Sequence, residues 1–403
     1  MSGRRLAPAG LAGVLLALAL PLTGASDVGP DVSRLEPVPT PLPERRLVQG
    51  LLDTSRGQLT DALGNLDELV RAQPDFQLAH LVRGDLLLAL AGRVGEFGAG
   101  VPAALAGGFR DEARARLLRY LDSPPPNAVP SGLLRLPDTT PAALAVDLER
   151  YRLYVVENRG GRLVRTRDYY VAIGKGGTDK RFEGDEKTPV GVYFVTEYIP
   201  GEKLADLYGA GAFPISYPNG WDRALGRTGS GIWIHGTEWA LYSRVPLSSR
   251  GCVTLANEDF ARLRESVTLQ QTPVLLAGRL EWASTDDVAS DARELTSAIE
   301  SWRRDWESLD TDRYLDHYSQ SFRGRGMSRG EFASHKRRVN AGKRWVRVGI
   351  SQLGLYAYPG EEGMVVADFR QDYESDGFRS SVRKRQYWRR EAGRWRIVLE
   401  ENV

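Results

Sequence analysis

A lone thiol, and a histidine seventeen residues before it, are the residues of this sequence best suited to covalent chemistry. Cys252, in the stretch SSRGCVTLAN, is the only cysteine among 403 residues, and His235 lies in IHGTE. A cysteine becomes a good nucleophile when a neighbouring base or cation favours its thiolate. A single cysteine is also often a small buried hydrophobe. Composition alone therefore leaves both interpretations open.

The glycines beside these two residues favour catalysis. IWIHGT has the pattern of a buried strand that ends at His235 and turns at Gly236, and Gly251 precedes Cys252 in a second turn. Acyl transfer forms an oxyanion that needs backbone N–H donors, and glycine lets such donors approach without a Cβ. We expect the N–H groups of Gly251 and Cys252 to form this oxyanion hole, with Arg250 nearby.

The remaining histidines do not predict a metal site. His80 and His317 lie in helical patterns and His335 lies in a polar helix. Zinc requires three or four convergent ligands, so we predict neither a metal nor a cofactor. The segment GKGGTDKRFEGDEKTP lacks the Gly-Lys-Ser/Thr ending of a phosphate loop. We interpret it as a mobile turn beside the site.

The N-terminus predicts secretion. Arg4 and Arg5 precede the apolar run LAGVLLALALPL, and Thr23 and Ala25 fit the −3 and −1 positions of a cleavage site. A run of about 12 apolar residues is too short to span a bilayer and suits a signal peptide. We expect residues 1–25 to be removed and the protein to lie in the periplasm or cell wall. General and twin-arginine export both stay open.

The charge balance excludes one class of partner. Lys and Arg number 54 against 52 Asp and Glu, and the two signs are interspersed along the chain. A nucleic-acid binder would show a clustered basic face. We therefore predict no nucleic-acid partner.

Shifts in composition predict a multidomain α+β protein. After the signal peptide we expect, in order, a proline-rich linker, a helical domain, a second linker, a β-rich domain and a C-terminal α+β domain: 26–44, 45–122, 123–138, 139–280 and 286–403. The change from helical spacing to period-two alternation defines the third boundary.

The helical domain has two interpretations. Gly50, Ala62 and Pro74 fall twelve residues apart, and Gly84 follows Gly50 by 34. This spacing resembles a tetratricopeptide (TPR) repeat. Because only about one and a half repeats are visible, a plain helical hairpin packed on the next domain is the alternative.

The C-terminal domain resembles the cone-shaped NTF2-like fold. Trp302, Trp306, Tyr314 and Tyr318 recur at roughly helical spacing, and long strands follow up to GRWRIVLEE. We expect these aromatic side chains to form core rather than a ligand box. Two roles stay open for the domain: holding a peptide, glycan or protein partner, and forming a homodimer.

The middle domain resembles the YkuD-type L,D-transpeptidase catalytic domain from about Leu144 to Leu276. The matching segments, in order, are LYVV, YVAIGK, KTPVGVYFV, FPISYPN, IHGT and SSRGCVTLAN. The resemblance implies that Cys252 is the nucleophile, that His235 is its base, and that the backbone carbonyl of Gly236 orients the imidazole.

Two positions depart from the common pattern of that family. Arg250 replaces a histidine before the Gly-Cys pair, and Thr254 replaces an arginine after it. Together with Ser249, Tyr217 and Asn257, these residues are the predicted substrate contacts. The variants YPNGWD and GCVTLAN, followed by an NTF2-like domain, resemble the branch that includes cell-shape L,D-carboxypeptidases.

The resemblance implies a reaction on peptidoglycan stem tetrapeptides without a cofactor. Cys252 would form a thioester with the diamino acid and release D-alanine. An amine acceptor would make the chain an L,D-transpeptidase, a protein lysine would anchor that protein to the wall, and water would make it an L,D-carboxypeptidase. A further alternative is a non-catalytic wall-binding scaffold whose flanking domains recruit wall or cell-shape partners.

Overall fold

The computed structural model describes residues 41–93, 95–324 and 326–403. The predicted signal peptide lies outside the described residues, as does most of the predicted linker 26–44. The first helix begins at Leu42, with Pro43 and Glu44 in its first turn, so the linker ends three residues earlier than predicted. Proline and an acidic residue both suit a helix N-terminus. No described helix combines the length and apolarity needed to cross a membrane.

Four helices form the N-terminal domain: α1 (Leu42–Ser55), α2 (Leu59–Ala72), α3 (Gln77–Leu90) and α4 (Ala103–Leu121). A Cβ at Gly50 would lie 3.0 Å from Cγ of Leu66, so α1 and α2 pack closely at this glycine. The apolar core also takes in Tyr242 of the next domain. The helices thus pack on the next domain, as the hairpin alternative expects, and a TPR-like fold is not confirmed.

The interface between this domain and the next contains a buried ion network. Arg152 bonds both Glu44, at 2.5 Å, and Asp168, and Arg119 lies 2.9 Å from Asp168. Although burial raises the pKa of Asp168, the guanidinium groups of Arg152 and Arg119 bring it below its usual value. Each charge in this network therefore depends on its partners, because an unpaired buried charge is costly.

The predicted linker 123–138 is wrong in its middle. Strand β1 (Val129–Pro130) pairs with β14 (Trp282–Ala283), and β2 (Leu133–Arg135) pairs with β17 (Val346–Ala357). Leu133 is fully buried. The prolines and the glycine around these short strands led to the linker prediction. Leu133 and Leu134 of β2 nevertheless belong to the apolar core of the C-terminal domain.

The middle domain is β-rich, as the period-two alternation predicts, and it contains two main sheets. The five-stranded sheet has the order β5-β4-β3-β13-β7, the four-stranded sheet has the order β12-β10-β9-β8, and β6 pairs with β11. The strands are β3 (Ala142–Asp147), β4 (Arg152–Arg159), β5 (Arg162–Tyr170), β6 (Ile173–Gly174), β7 (Gly191–Phe194), β8 (Ile199–Pro200), β9 (Gly211–Pro214), β10 (Trp233–His235), β11 (Leu247–Ser249), β12 (Val253–Thr254) and β13 (Pro273–Ala277). Two short helices complete the domain, α5 (Gly220–Ala224) and α6 (Asn257–Arg264). A shared apolar core, including Leu144, Ile234 and Val253, packs the sheets together.

The C-terminal domain packs three helices on a seven-stranded sheet of order β16-β15-β20-β19-β18-β17-β2. The helices are α7 (Thr285–Glu307), α8 (Thr311–Asp316) and α9 (Arg329–Ala341), and the remaining strands are β15 (Tyr318–Gly324), β16 (Met327–Ser328), β18 (Met364–Ser375), β19 (Phe378–Glu391) and β20 (Arg394–Asn402). Trp302, Trp306, Tyr314 and Tyr318 are all buried. The prediction that they form core is confirmed.

The segment YPNGWD joins the middle domain to the C-terminal domain. The indole Nε1 of Trp221 donates to Glu361 at 3.0 Å, and Nδ2 of Asn219 donates to the Tyr358 hydroxyl at 3.0 Å. A Cβ at Gly220 would lie 2.5 Å from a carboxylate oxygen of Glu401. This segment therefore docks one domain on the other.

Candidate active site

His235 ends strand β10 with its imidazole buried and oriented. Nδ1 lies 2.7 Å from the carbonyl oxygen of Gly236. Because a carbonyl only accepts hydrogen bonds, Nδ1 carries the hydrogen and Nε2 is left without one. Burial lowers the pKa of His235 to about 4, and the charge of Arg244 adds to this effect while the Gly236 carbonyl opposes it. The imidazole is therefore neutral at pH 7.

Cys252 lies beside His235 because their strands are neighbours. Strand β12 runs parallel to β10 and pairs Val253 with Ile234, which places Cys252 next to Trp233. The Trp233 N–H donates to the sulfur, and Sγ lies 3.6 Å from the Gly231 carbonyl oxygen. The residue is partly exposed.

The thiol of Cys252 is protonated in the resting site. Burial raises its pKa, and the Trp233 hydrogen bond and the charges of Arg244 and Lys180 offset only part of that rise. Since the imidazole of His235 is neutral as well, the pair is not a preformed thiolate–imidazolium. A protonated thiol and a neutral imidazole are the starting states that general-base catalysis requires.

Gly251 has the conformation that only glycine adopts readily. Its φ is +117°, and a Cβ there would lie 2.7 Å from the Lys187 carbonyl oxygen. Thr188 Oγ1 donates to the Gly251 carbonyl at 3.0 Å. The glycine before the nucleophile is thus required by the close approach of another loop.

The predicted oxyanion hole needs a correction. The Gly251 N–H donates to Oγ of Ser249 at 3.1 Å, so this donor is already engaged. The same hydroxyl donates to the Cys252 carbonyl oxygen at 2.6 Å. Ser249 is buried and holds the nucleophile loop, which differs from the predicted substrate contact. Of the predicted donor pair, the N–H of Cys252 is the one that stays a candidate.

Asn257 also positions the site instead of presenting itself to substrate. Oδ1 accepts the N–H groups of Ala210, at 2.9 Å, and Thr237, at 3.1 Å, while Nδ2 donates to the Thr237 carbonyl at 2.8 Å. A Cβ at Gly236 would lie 2.2 Å from this Oδ1. Asn257 therefore clamps the turn that follows His235, and Gly236 is the residue that leaves room for the clamp.

Of the other three predicted substrate contacts, two are buried and one is exposed. Thr254 is buried, and its backbone exchanges hydrogen bonds of 2.8 and 3.0 Å with Ala172. Tyr217 is buried, and its hydroxyl donates to the Thr228 carbonyl at 3.0 Å. Arg250 is exposed. Of the three, Arg250 alone is accessible to a ligand, because strand pairing and loop packing enclose the other two, and its role as a substrate contact stays a prediction.

Two residues beside His235 were missed by the sequence analysis. Nε of Arg244 donates to Thr237 Oγ1 at 3.0 Å and to Glu238 at 2.9 Å. The ring of Tyr208 meets the imidazole edge-on, with centroids 4.9 Å apart. Both residues lie outside the periodic strands, so neither spacing nor composition marks them.

The glycine-rich segment is an ordered loop, which differs from the mobile turn expected. Asp185 accepts from Nζ of Lys180 at 2.7 Å and from the N–H groups of Arg181 and Lys187 at 2.8 and 3.1 Å. Burial by itself raises the pKa of Asp185, but these hydrogen bonds together outweigh it and lower the pKa to about 2. The charge of Lys180, which this loop holds, is one of those that lower the pKa of Cys252.

The other histidines serve local contacts. Nε2 of His80 lies 3.0 Å from the Pro74 carbonyl oxygen, and Nε2 of His317 lies 2.7 Å from Asp305. His335 lies on α9. Within residues 41–93, 95–324 and 326–403, no group of three or more His, Cys, Asp or Glu side chains could hold a metal ion.

Comparison with known proteins identifies both large domains. The family model of the L,D-transpeptidase catalytic domain, YkuD, matches residues 141–276, and that of the Cds6 C-terminal NTF2-like domain matches residues 294–401. No curated protein matches the chain.

Among solved structures, Bd1075 of Bdellovibrio bacteriovorus is 30% identical with a TM-score of 0.60, and the alignment covers 68% of this chain and 98% of that one. The helical cell shape determining protein Pgp2 of Campylobacter jejuni is 27% identical with a TM-score of 0.58, and the alignment covers 67% and 95%. The chain belongs to the YkuD-type L,D-transpeptidase and L,D-carboxypeptidase family, in the branch with a C-terminal NTF2-like domain.

Proposed function

We propose that this protein is a cysteine enzyme that cleaves the L,D bond of peptidoglycan stem tetrapeptides through a thioester on Cys252. The observation that carries the proposal is the neutral imidazole of His235, held by its Nδ1–H on the Gly236 carbonyl beside the strand of the only thiol. This arrangement supplies a nucleophile and a base in the protonation states that the first step needs.

The donor step balances with these two side chains. Sγ of Cys252 bonds to the carbonyl carbon of the diamino acid at position three while His235 takes the thiol proton. The tetrahedral oxyanion lies near the Cys252 N–H. When the C–N bond to D-alanine breaks, the imidazolium returns its proton to the leaving amine, and the thioester remains.

The acceptor completes the reaction. An amine from a second stem gives a 3,3 cross-link and regenerates the thiol, which is L,D-transpeptidase activity and the first candidate. Transfer to a protein lysine is a variant of the same step.

Water is the second candidate acceptor and gives a tripeptide, which is L,D-carboxypeptidase activity. The observation that favours it is the similarity, over both large domains, to a protein described as determining helical cell shape. Trimmed stems can no longer act as tetrapeptide donors, and in this way hydrolysis would control shape.

This function places the protein in the periplasm or cell wall, where its substrate is. It agrees with the predicted signal peptide and with a single cysteine that has no disulfide partner in the chain. The NTF2-like domain is proposed to hold a wall ligand or cell-shape partner, or to form a homodimer. If deletion of residues 286–403 left wall binding and self-association unchanged, the wall-ligand and homodimer roles would be excluded.

The function can be tested with purified disaccharide-tetrapeptide and mass spectrometry of the products, with Cys252→Ala as the control. Tripeptide alone identifies water as the acceptor, and a 3,3-linked dimer identifies an amine. If neither protein releases D-alanine, the proposal is wrong and the scaffold alternative gains. Rescue of a cell-wall phenotype by Cys252→Ala would lead to the same conclusion.

A further inference from the structure

The residues 242–245 touch the helical domain on one side of the chain and the active site on the other. Tyr242 is buried in the core of the helical domain, with its ring centroid 4.3 Å from that of Phe76. Its N–H donates to the Asp75 carbonyl oxygen at 3.1 Å. The helical domain therefore holds this residue through both its side chain and its backbone.

The next residues extend the same contact to helix α4. Oγ of Ser243 donates to Glu112 at 2.7 Å. A Cβ at Gly108 would lie 3.0 Å from the Val245 side chain, so α4 lies directly on the segment. Glu112 in turn bonds Arg116 at 2.9 Å, which fixes the acceptor.

Arg244, between these anchors, points the other way. Besides Thr237 and Glu238, its Nη2 donates to the Leu207 carbonyl at 2.8 Å. Leu207 precedes Tyr208, whose ring meets His235. One arginine thus ties together two loops that surround the imidazole.

Residues 241–246 have no helix or strand of their own. Such a segment lacks the ladder of backbone hydrogen bonds that holds a strand, so its side-chain anchors decide where it lies. The helical domain supplies the side-chain anchors of Tyr242 and Ser243, while the Tyr170 hydroxyl of β5 holds the Arg244 carbonyl at 2.9 Å.

We propose that the helical domain positions the Cys252–His235 pair through this segment, with Tyr242 and Ser243 as positioning residues for the reaction. The inference rests on the proposed function, because it assigns the domain a task in that chemistry. Displacing Tyr242 or Ser243 displaces Arg244, and with it the two loops beside His235. Misplacing reacting groups by about 1 Å costs on the order of 100-fold in rate.

The charge of Arg244 gives the inference a second readout. Arg244 and Lys180 both lower the pKa of the Cys252 thiol against the larger effect of burial. Arg244 lowers the pKa of His235 as well, and Glu238 raises it. When Arg244 moves away, the Cys252 thiol should therefore ionise at higher pH.

The experiment compares Tyr242→Ala and Ser243→Ala with two controls. Tyr242→Phe keeps the ring in the helical core, and Leu52→Ala removes a buried side chain from a separate cluster of the same domain. Alkylation of the protein by iodoacetamide is followed against pH, and it reports one thiol because the chain has one cysteine. D-Alanine release gives kcat and KM.

We expect Tyr242→Ala to raise the pH midpoint of alkylation and to lower kcat by about tenfold or more, with a smaller effect on KM. Ser243→Ala should change both quantities in the same direction, and Tyr242→Phe should restore wild-type values. If Tyr242→Ala does not fold, Ser243→Ala decides.

The inference is overturned if the midpoint and kcat stay at wild-type values in these two variants. It is also overturned if Leu52→Ala, at an equal melting temperature, changes them as much. Failure of the proposed function looks different: the wild-type protein would then release no D-alanine, whatever the alkylation profile of the variants.

Discussion

The two interfaces of the catalytic domain are built from different chemistry. The helical domain meets it through the Tyr242–Phe76 contact and, in addition, through buried charges, with Arg152 bonded to both Glu44 and Asp168. The NTF2-like domain meets it through a shared apolar core and aromatic contacts, such as Phe194 with Tyr356 at 5.8 Å. A buried charge that loses its partner destabilises the fold strongly, whereas an apolar contact loses stabilisation in proportion to the buried area that is removed.

The two interfaces also reach different parts of the catalytic domain. The charged one adjoins the segment that carries Arg244, whose bonds lead to Thr237 and Glu238 next to His235. The apolar one engages β7 and the segment around Trp221, where no predicted catalytic residue lies. The comparison indicates that damage to the first interface affects both stability and catalysis, and damage to the second affects mainly stability.

The largest effect is expected from neutralising one member of the buried ion network. Asp168→Asn leaves Arg152 and Arg119 short of a counter-charge and should lower the free energy of unfolding by about 3–5 kcal/mol. Urea unfolding would measure the change. Arg159→Ala, at an exposed arginine on the same sheet, is the matched control and should change stability by less than about 1 kcal/mol. Equal losses in the two variants would contradict the assigned role of the network.

A smaller loss is expected at the apolar interface. Trp221→Ala removes the indole that donates to Glu361 and stacks near Tyr387, which should cost about 1–3 kcal/mol because the side chain is only partly buried. Catalysis should persist, since Trp221 contacts Glu361, Tyr387 and Arg389 of the C-terminal domain. Thermal unfolding and D-alanine release measure the two quantities. A tenfold loss of kcat in a folded Trp221→Ala protein would contradict the proposed difference between the two interfaces.

The smallest expected effect is a shift in the pH dependence of kcat/KM. Since the pKa of His235 is about 4, its base form predominates above that pH, and kcat/KM should fall only as pH drops toward 4. Arg244→Gln removes a positive charge that disfavours the imidazolium and favours the thiolate. The pKa values of His235 and Cys252 should both rise, so that the pH–rate profile shifts upward by about one unit.

Arg262→Gln is the control for charge alone, because Arg262 is half-exposed on α6 and pairs with Glu258 and Asp259. Its profile should match that of the wild-type protein. An acid limb near pH 6.5 in the wild-type protein would show that the imidazole is not desolvated as described.

The sequence predicted those parts of the site that are encoded locally. A buried strand ending at His235, a glycine turn before Cys252 and period-two strands are read from neighbouring residues, and the structure places them together. The core role of Trp302 and Trp306 is confirmed for the same reason, since the two lie about one turn apart on α7. Tyr314 and Tyr318 are buried as well, but they lie on α8 and β15, so their burial depends on tertiary packing.

The parts that the sequence did not predict depend on residues far apart in the chain. Asn257 and Ser249 were expected to meet substrate, but their polar atoms are engaged by Thr237 and by the nucleophile loop. Arg244 bonds Glu238 and the carbonyl of Leu207, which lies 37 residues earlier in the chain, so no local pattern marks it. The short strands in 123–138 exist only because distant strands offer them partners.

The central claim is that Cys252 forms a thioester with a stem peptide and expels D-alanine. The most direct measurement is the intact mass of the protein, quenched in acid during incubation with disaccharide-tetrapeptide, together with the D-alanine released. We predict an adduct equal in mass to the disaccharide-tripeptide acyl group on the wild-type protein, and neither adduct nor D-alanine with Cys252→Ala. Release of D-alanine by Cys252→Ala at the wild-type rate would contradict the account.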